Sequence, residues 1–321
     1  MRCAVVGAGA WGTALADLLA RNGHDVRLWA YEPDVVESIN KKRENVRFLR
    51  GHALSTSIEA LGDIQWAVEG AELVTLATPS HVLRRIVKSA AAALPRSAPL
   101  VVATKGIEQG TLCLMTEVAE QEVPGATVVA ISGPSFATEV VSCQPTAVVV
   151  ASMQSVAAGI AQRAFSSGYF RVYTHTDVIG VELGGALKNV MAVATGIAEG
   201  LGLGFNARAA LVTRGLAEMT RLGSALGAQQ STFAGLAGLG DLVLTCTGSL
   251  SRNRAVGVEL GKGRKLEEVL RQRNGRGRSR HRAKRARAGR ARGSRDANCR
   301  YRESRTFRGS TGPQRHRRSH D

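Results

Sequence analysis

The residue of this sequence best suited to acid–base chemistry is Lys188. It lies in a run, residues 181–192, in which nearly every neighbour is apolar or glycine. Burial lowers the pKa of a lysine, and such a lysine can donate a proton to a carbonyl oxygen. Gly184, one helical turn earlier, leaves room for another backbone or a ligand. The alternative is a surface lysine on an otherwise buried helix, and we favour the catalytic role.

Four other polar residues of the second half could serve the same site. Asp241 is a lone carboxylate in an apolar run, where it could pair with Lys188 or cap a helix. Ser251, Arg252 and Asn253 combine short donors with a guanidinium group that suits a phosphate, although such a cluster alone is more typical of a solvated loop. The His, Cys, Asp and Glu spacings predict no metal site.

The N-terminal segment predicts a dinucleotide-binding turn. An apolar run, residues 3–6, ends in Gly7, Gly9 and Gly12 with the spacing GxGxxG, and a helix-compatible segment, residues 13–21, follows. The first glycine makes the tight turn, the second lets the backbone approach a pyrophosphate, and the third lets the helix pack on the strand. The helix N-terminus offers free N–H groups to the phosphates.

Short Val- and Ile-rich runs alternate with helical segments through the first half, which predicts a parallel sheet covered on both faces. The predicted strands are residues 3–6, 26–29, 73–77, 100–103, 128–131 and 147–151, with an edge strand at 170–173. The predicted helices are residues 13–21, 32–43, 58–69 and 82–94, the last capped by Ser80. Ligands bind beyond the carboxyl ends of such strands, so Lys105, at one of these ends, is a candidate anion-binding residue.

The pattern changes near residue 177, after which only helices are predicted. Two long helices are expected at residues 178–201 and 206–226, and short helices in 232–247 and 252–260. We therefore expect an α/β protein. Residues 1–177 would form a Rossmann-type, doubly wound parallel sheet, residues 178–270 an all-helical substrate-binding domain, and residues 271–321 a disordered basic tail.

The positive charge of the chain is concentrated in that tail. Residues 271–321 hold 19 Lys or Arg and three Asp or Glu, whereas the rest of the chain is nearly neutral. A segment this poor in Leu, Ile and Val cannot fold alone. We interpret it as the product of a shifted reading frame in a GC-rich gene, which would leave an apolar face uncovered and lower stability and activity. The alternative is a nucleic-acid-binding arm.

Two features favour a cytoplasmic location. The chain starts directly with a predicted strand rather than with a signal peptide. No uncharged apolar run reaches the roughly 20 residues that span a bilayer. We therefore expect no association with a membrane.

Several stretches together resemble the bacterial NAD(P)-dependent glycerol-3-phosphate dehydrogenase family. They follow the family's order up to about residue 270, and they are residues 7–16, 103–108, 131–137, 179–189, 206–208, 235–246 and 251–253. The resemblance implies the reversible reduction of dihydroxyacetone phosphate to sn-glycerol 3-phosphate, a precursor of phospholipids, with NADPH or NADH as cofactor. It also implies a homodimer.

The resemblance assigns a role to each candidate residue. Lys188 would be the catalytic acid or base. The substrate would contact Lys105, Gly133, Ser135, Lys188, Asn189, Asp241, Thr245, Ser251, Arg252 and Asn253. The cofactor would contact Gly7, Gly9, Ala10, Trp11, Gly12, Tyr31, Lys105, Ala137 and Arg252.

Two questions stay open at this point. A carboxylate after the second strand favours NAD and an arginine favours NADP, but this chain has Tyr31 followed by Glu32. The chain also has features of other two-domain dehydrogenases, of the β-hydroxyacid or 6-phosphogluconate type. A basic nucleic-acid-binding protein with a vestigial cofactor fold is the alternative from another class.

Overall fold

The computed structural model describes residues 1–271, and eight strands in this part of the chain form one sheet. The strands are β1 (Arg2–Val6), β2 (Asp25–Trp29), β3 (Ile58–Leu61), β4 (Leu73–Leu76), β5 (Leu100–Val102), β6 (Val128–Ser132), β7 (Thr146–Ala151) and β8 (Phe170–His175). Their order across the sheet is β3-β2-β1-β4-β5-β6-β7-β8, which confirms the edge position of β8. All neighbouring pairs are parallel except β6 and β7, which are antiparallel. The predicted Rossmann-type fold is confirmed.

Helices cover both faces of the sheet. Those between strands are α1 (Ala10–Arg21), α2 (Pro33–Lys42), α3 (Ile64–Val68), α4 (Ser80–Ala90), α5 (Met115–Glu122), α6 (Ala137–Val141) and α7 (Ser155–Phe165). Alternate residues of β1 enter different cores: Val5 packs in the cluster that holds Leu15 of α1, whereas Val6 packs in the cluster that holds Leu83 of α4. This two-sided burial explains why the strands are continuous apolar runs.

Two details of the predicted elements are wrong. Residues 58–69 form β3 and the short α3 rather than one helix, because Ile58 and Ala60 are buried while Glu59 between them is exposed, a strand alternation. Asp63 then caps α3, its carboxylate accepting hydrogen bonds from the N–H groups of Gln65 and Trp66 at 2.8 and 3.1 Å. Ser80 does not cap α4 but is its first residue, following Pro79 at the N-cap.

The region after β8 is helical in the described residues. It contains α8 (Val178–Gly200), α9 (Phe205–Ala225), α10 (Gln230–Ala234), a π-helical turn (Leu236–Gly240), α11 (Asp241–Thr247) and α12 (Arg252–Gly261). Glycines let two of these helices approach closely: a Cβ on Gly196 of α8 would lie 2.2 Å from the carbonyl oxygen of Arg254 in α12. The division into domains at residues 177 and 178 stays a prediction.

One helix of the described residues, α8, is long and apolar enough to cross a membrane by length and composition alone. Half of its most apolar 18-residue stretch is buried inside the protein, and the polar residues Glu182 and Lys188 of this helix are buried as well. These properties are typical of the central helix of a helical core. The expectations about the basic tail concern residues 271–321. Of these only Arg271 lies in the described part of the chain.

Candidate active site

The glycine turn between β1 and α1 has the geometry that binding of a dinucleotide requires. Gly7 has φ of +118°, and a Cβ there would lie 2.8 Å from the carbonyl oxygen of Ala77, the residue that follows β4. A Cβ on Gly12 would lie 1.9 Å from the carbonyl oxygen of Gly7, so only glycine allows α1 to pack here. A Cβ on Gly9 would have no neighbour within 4 Å. This open position above the helix N-terminus fits a pyrophosphate.

Buried polar atoms without partners lie along the same edge of the sheet. In residues 1–271 they include the indole N–H of Trp11 at the start of α1, the hydroxyl of Thr78 after β4 and the hydroxyl of Ser132 at the end of β6. Buried donors normally have hydrogen-bond partners, so donors without them at one edge indicate a ligand site. With the open glycine turn, they fit a nicotinamide dinucleotide.

A cluster of two lysines and one aspartate joins the sheet to the helical region. Asp241, at the first position of α11, accepts a short hydrogen bond from Nζ of Lys188 on α8. Its second oxygen accepts a 2.5 Å hydrogen bond from Nζ of Lys105, which follows β5. The side chains of Asp241, Lys188 and Lys105 are 1%, 11% and 20% exposed. We call these three residues the Lys–Asp–Lys cluster.

The environment of Lys188 brings its pKa close to neutral pH. Burial is the main cause, and the positive charge of Lys105 adds to it; together they lower the pKa of Lys188 from 10.5 to about 7. Asp241 opposes this shift because its carboxylate stabilises the ammonium form. A lysine with this pKa is present in both protonation states near pH 7, as an acid–base group requires.

Backbone and hydroxyl groups surround the cluster. Nζ of Lys105 also donates to the carbonyl oxygen of Gly133 at 3.2 Å, and the Ser135 hydroxyl donates to the same oxygen at 3.0 Å. Gly133 has φ of +145°, and a Cβ there would lie 2.9 Å from the Cα of Val148, so glycine is required. The hydroxyl of Thr245 lies 3.5 Å from Asp241. The structure therefore brings Lys105, Gly133, Ser135, Asp241 and Thr245 together around Lys188.

The other candidate substrate residues lie on the helices that flank the cluster. Asn189 follows Lys188 on α8 and is partly buried. Ser251 is buried and caps α12, its hydroxyl accepting from the N–H of Arg254 at 3.3 Å. Arg252 is exposed and Asn253 is half-buried in the first turn of α12. Asp241 is not the N-cap residue that the sequence allowed as an alternative. It is the first residue of α11 and forms an ion pair with Lys188.

Two candidate cofactor residues lie further along the carboxyl edge. Tyr31, after β2, is 75% exposed and lies edge-on to Trp29, with ring centroids 6.5 Å apart. It lines a concavity of about 410 Å³ together with Ala30, Asn40 and Gly62. Ala137 begins α6 and packs against the core on the α1 side of the sheet. Ala10 and Trp11 form the first turn of α1, beside the glycine turn.

Sequence reasoning missed Glu182, a buried carboxyl six residues before Lys188 on α8. It accepts a 3.0 Å hydrogen bond from the N–H of Thr116 and a short one from the Thr116 hydroxyl, at the N-terminus of α5. Burial raises the pKa of Glu182 to about 7. The only signal in the sequence was a carboxylate in an apolar run, the same signal that singled out Asp241.

The described residues contain no group of three or more His, Cys, Asp or Glu side chains that could hold a metal ion. A buried lysine of near-neutral pKa, joined through Asp241 to the carboxyl edge that carries a dinucleotide-binding turn, is the arrangement expected of a nicotinamide-dependent dehydrogenase. The chain belongs to the NAD-dependent glycerol-3-phosphate dehydrogenase family: the model of the family's N-terminus matches residues 2–158 and that of its C-terminus matches residues 177–287.

Similar proteins support the assignment of the chain to this family. The chain is 54% identical to the glycerol-3-phosphate dehydrogenase (NAD(P)+) of Geobacter sp. strain M21 over 272 residues, which are 84% of this chain and 81% of that protein. Identity to the enzyme of the same name from Myxococcus xanthus is also 54%, over 273 residues. The crystal structure of glycerol-3-phosphate dehydrogenase from Coxiella burnetii has a TM-score of 0.82 and 43% identity, covering 84% of this chain and 83% of that one.

Proposed function

We propose that the protein catalyses the reversible reduction of dihydroxyacetone phosphate to sn-glycerol 3-phosphate with NADPH or NADH, a step that supplies phospholipid synthesis. The observation that carries this proposal is the Lys–Asp–Lys cluster, with Lys188 and Asp241 buried and Lys105 partly buried, at the carboxyl edge of a Rossmann-type sheet. The names of the relatives support the choice of substrate.

Lys188 is the proton donor in this proposal. The nicotinamide, when bound, supplies the hydride for the carbonyl carbon. As negative charge develops on the substrate oxygen, the ammonium of Lys188 donates its proton to it and becomes a neutral amine. The low pKa of Lys188 makes this transfer favourable, and a positioned donor contributes about 10²–10⁴-fold to the rate. In the reverse direction the neutral amine removes the hydroxyl proton.

Asp241 and Lys105 hold Lys188 in place for this step. Asp241 accepts from both lysines, so it fixes the position of Nζ of Lys188 and keeps two like charges close together. A positioned ammonium avoids the entropy cost of searching for the reactive geometry. Lys105 adds positive charge near the developing alkoxide, where burial strengthens its effect.

The phosphate of the substrate would bind at the start of α12. Ser251, Arg252 and Asn253 provide hydroxyl, guanidinium and amide donors at this helix N-terminus, and guanidinium groups bind phosphate bidentately. Gly133, Ser135, Asn189 and Thr245 would contact the rest of the substrate. Binding energy from the phosphate would orient the carbonyl towards Lys188.

The dinucleotide would be held by the glycine turn and its surroundings. Gly7, Gly9, Ala10, Trp11 and Gly12 would contact the pyrophosphate, and Tyr31 the adenosine. Lys105, Ala137 and Arg252 would lie near the nicotinamide half. The open position at Gly9 and the indole N–H of Trp11 without a partner support this placement.

The test is NAD(P)H oxidation with dihydroxyacetone phosphate by the full chain and by Lys188→Ala. We expect turnover by the parent chain and a loss of about 10²–10⁴-fold in kcat in the variant, with near-normal binding of NADPH. A matched control is Lys88→Ala, which removes a lysine from the last turn of α4. Equal turnover by parent and Lys188→Ala, or turnover only with a hydroxyacid or 6-phosphogluconate, would reject the proposal.

We further propose that the protein is a cytoplasmic homodimer. Large apolar side chains of α9 and the segment before it support a partner surface: Phe205 is 82% exposed and Leu201 is 62% exposed. These two side chains are close in sequence, and clustered exposed apolar side chains favour a protein–protein contact. Light scattering coupled to size exclusion gives the mass in solution, and a monomer at micromolar concentration would reject the dimer.

A further inference from the structure

The loop between α2 and β3 is fixed against the glycine turn by one buried side chain. Asn45 is fully buried, and its amide donates to the carbonyl oxygen of Ala8 at 2.8 Å and to the hydroxyl of Thr13 at 2.9 Å. Its own side-chain oxygen accepts from the N–H of Phe48 at 3.0 Å. Asn45 therefore sets where residues 45–48 lie relative to the phosphate-binding turn.

Arg47 projects from this loop towards the carboxyl end of β2. Its guanidinium donates to Asp34 at 3.2 Å and lies 3.8 Å from the carboxylate of Glu32, the residue after Tyr31. It also lies over the ring of Phe48, 5.3 Å from the centroid. The side chain is 48% exposed, so the guanidinium can exchange partners without leaving a buried charge behind.

The end of β2 is where a Rossmann fold binds the adenosine ribose. A carboxylate at this point accepts the ribose hydroxyls of NAD, and an arginine nearby accepts the 2′-phosphate of NADP. In this chain the strand end itself carries no basic residue, since Ala30, Tyr31 and Glu32 occupy it. The carboxylate of Glu32 is already near the guanidinium of Arg47, which reduces its repulsion of a phosphate.

We propose that Arg47 is the specificity-determining residue for the 2′-phosphate of NADPH, supplied from the neighbouring loop instead of from β2. The guanidinium leaves Asp34 and binds the phosphate with two parallel N–H donors, a geometry that lysine cannot provide. With NADH bound, Arg47 stays on Asp34 and Glu32 faces the ribose hydroxyls. The chain therefore binds both cofactors, with NADPH the tighter ligand. This inference rests on the proposed function.

Lys41 is the competing cation. It lines the concavity beside Tyr31, at the end of α2, and forms an ion pair with Glu37 at 3.0 Å. Its side chain is 72% exposed, and within residues 1–271 no hydrogen bond ties it to the glycine turn as Asn45 ties the loop of Arg47. We therefore expect Lys41 to contribute little to the discrimination between NADPH and NADH.

The test is equilibrium binding without substrate, so that it is independent of turnover. Isothermal titration of the full chain would use NADPH, NADH, adenosine 2′,5′-bisphosphate and 5′-AMP. We expect Arg47→Gln to weaken NADPH and the bisphosphate by about 10- to 100-fold, the usual contribution of hydrogen bonds to a charged group, and NADH and 5′-AMP by less than about twofold. Asp34→Asn, which removes the competing carboxylate, should tighten NADPH severalfold and leave NADH unchanged.

Two controls make the result specific. Arg214→Gln removes an exposed arginine of α9 that pairs with Glu218, and it reports the effect of net charge alone. Lys41→Ala reports on the competing cation. The proposal is overturned if Arg47→Gln weakens NADPH and NADH equally, if it weakens neither, or if Lys41→Ala causes the selective loss instead. If the parent chain does not reduce dihydroxyacetone phosphate but the nucleotides bind in the expected pattern, the proposed function is rejected and the role of Arg47 in binding the 2′-phosphate is supported.

Discussion

The sheet region and the helical region contribute to the site in different ways. In the sheet region the backbone creates the site: positive φ at Gly7 and the missing side chains of Gly9 and Gly12 shape the turn. In the helical region charged side chains create it, since Lys188 and Asp241 come from α8 and α11 and are both buried. A backbone site fails when atoms are added to it, whereas a charged site fails when one charge is removed.

The largest expected effect is that of Asp241→Asn. It would leave the ammonium groups of Lys105 and Lys188 close together without the carboxylate between them, and breaking a buried ion pair costs about 3–5 kcal/mol of unfolding free energy. The repulsion would also lower the pKa of Lys188 further, so less of the proton donor is present. We expect kcat/KM to fall at least about 100-fold.

Steady-state kinetics and chemical denaturation measure these two losses. The control is Glu199→Gln, which removes a carboxylate of α8 that pairs with Arg208 and Arg254 outside the cluster. Activity of Asp241→Asn within threefold of the parent chain would mean that the cluster is structural.

The second prediction tests the backbone side of the comparison. In Gly12→Ala the new Cβ would lie 1.9 Å from the Gly7 carbonyl oxygen, which the rigid turn cannot move away. We expect a loss of about 1–3 kcal/mol in unfolding free energy and weaker NADPH binding, because α1 must shift. Gly9→Ala is the matched control: its Cβ meets nothing within 4 Å, so stability should hold while NADPH binding weakens. Equal stability of the two variants would contradict the prediction.

The same contrast explains what the sequence could predict. The GxGxxG turn, the strand before it and the helix after it follow from local patterns, because the spacing of glycines and of apolar residues is read along the chain. The prediction of one helix over residues 58–69 was wrong, because a four-residue strand and a five-residue helix are too short to show a clear hydrophobic period. Lys188 and Asp241 were singled out by charge in apolar runs, and their pairing was one possibility. Their direct contact joins residues 53 apart, and the second contact of Asp241, with Lys105, joins residues 136 apart, so neither follows from local sequence.

The third prediction concerns pH. The pKa of Lys188 is lowered to about 7, so the ammonium form needed for reduction disappears as pH rises through 7. We expect kcat/KM for dihydroxyacetone phosphate to fall up to about tenfold per pH unit above that value. We expect kcat/KM for glycerol 3-phosphate oxidation to rise up to about tenfold per pH unit below that value and to level off above it. Profiles between pH 5.5 and 9.5 in both directions measure this. A reduction rate that is flat to pH 9 would show that Lys188 is not the proton donor.

The smallest expected effect comes from Glu182, the buried carboxyl that ties α8 to the N-terminus of α5. Its pKa is raised from 4.5 to about 7, so the native state binds a proton more tightly than the unfolded chain does between these values. Unfolding free energy contributed by this group therefore falls as pH rises from about 4.5 to 7. Glu182→Gln lacks this titration, and its stability relative to the parent chain should improve over that interval.

Denaturant unfolding at pH 5, 6, 7 and 8 measures the difference, which we expect to change by about 1–3 kcal/mol. The control is Glu108→Gln, because pairing with Arg84 lowers the pKa of Glu108 to about 2 and its titration lies below this interval. Its stability difference should be constant from pH 5 to 8. A constant difference for Glu182→Gln as well would mean that this carboxyl is charged in the native state, and that the contact between α8 and α5 relies on an anion at the helix N-terminus.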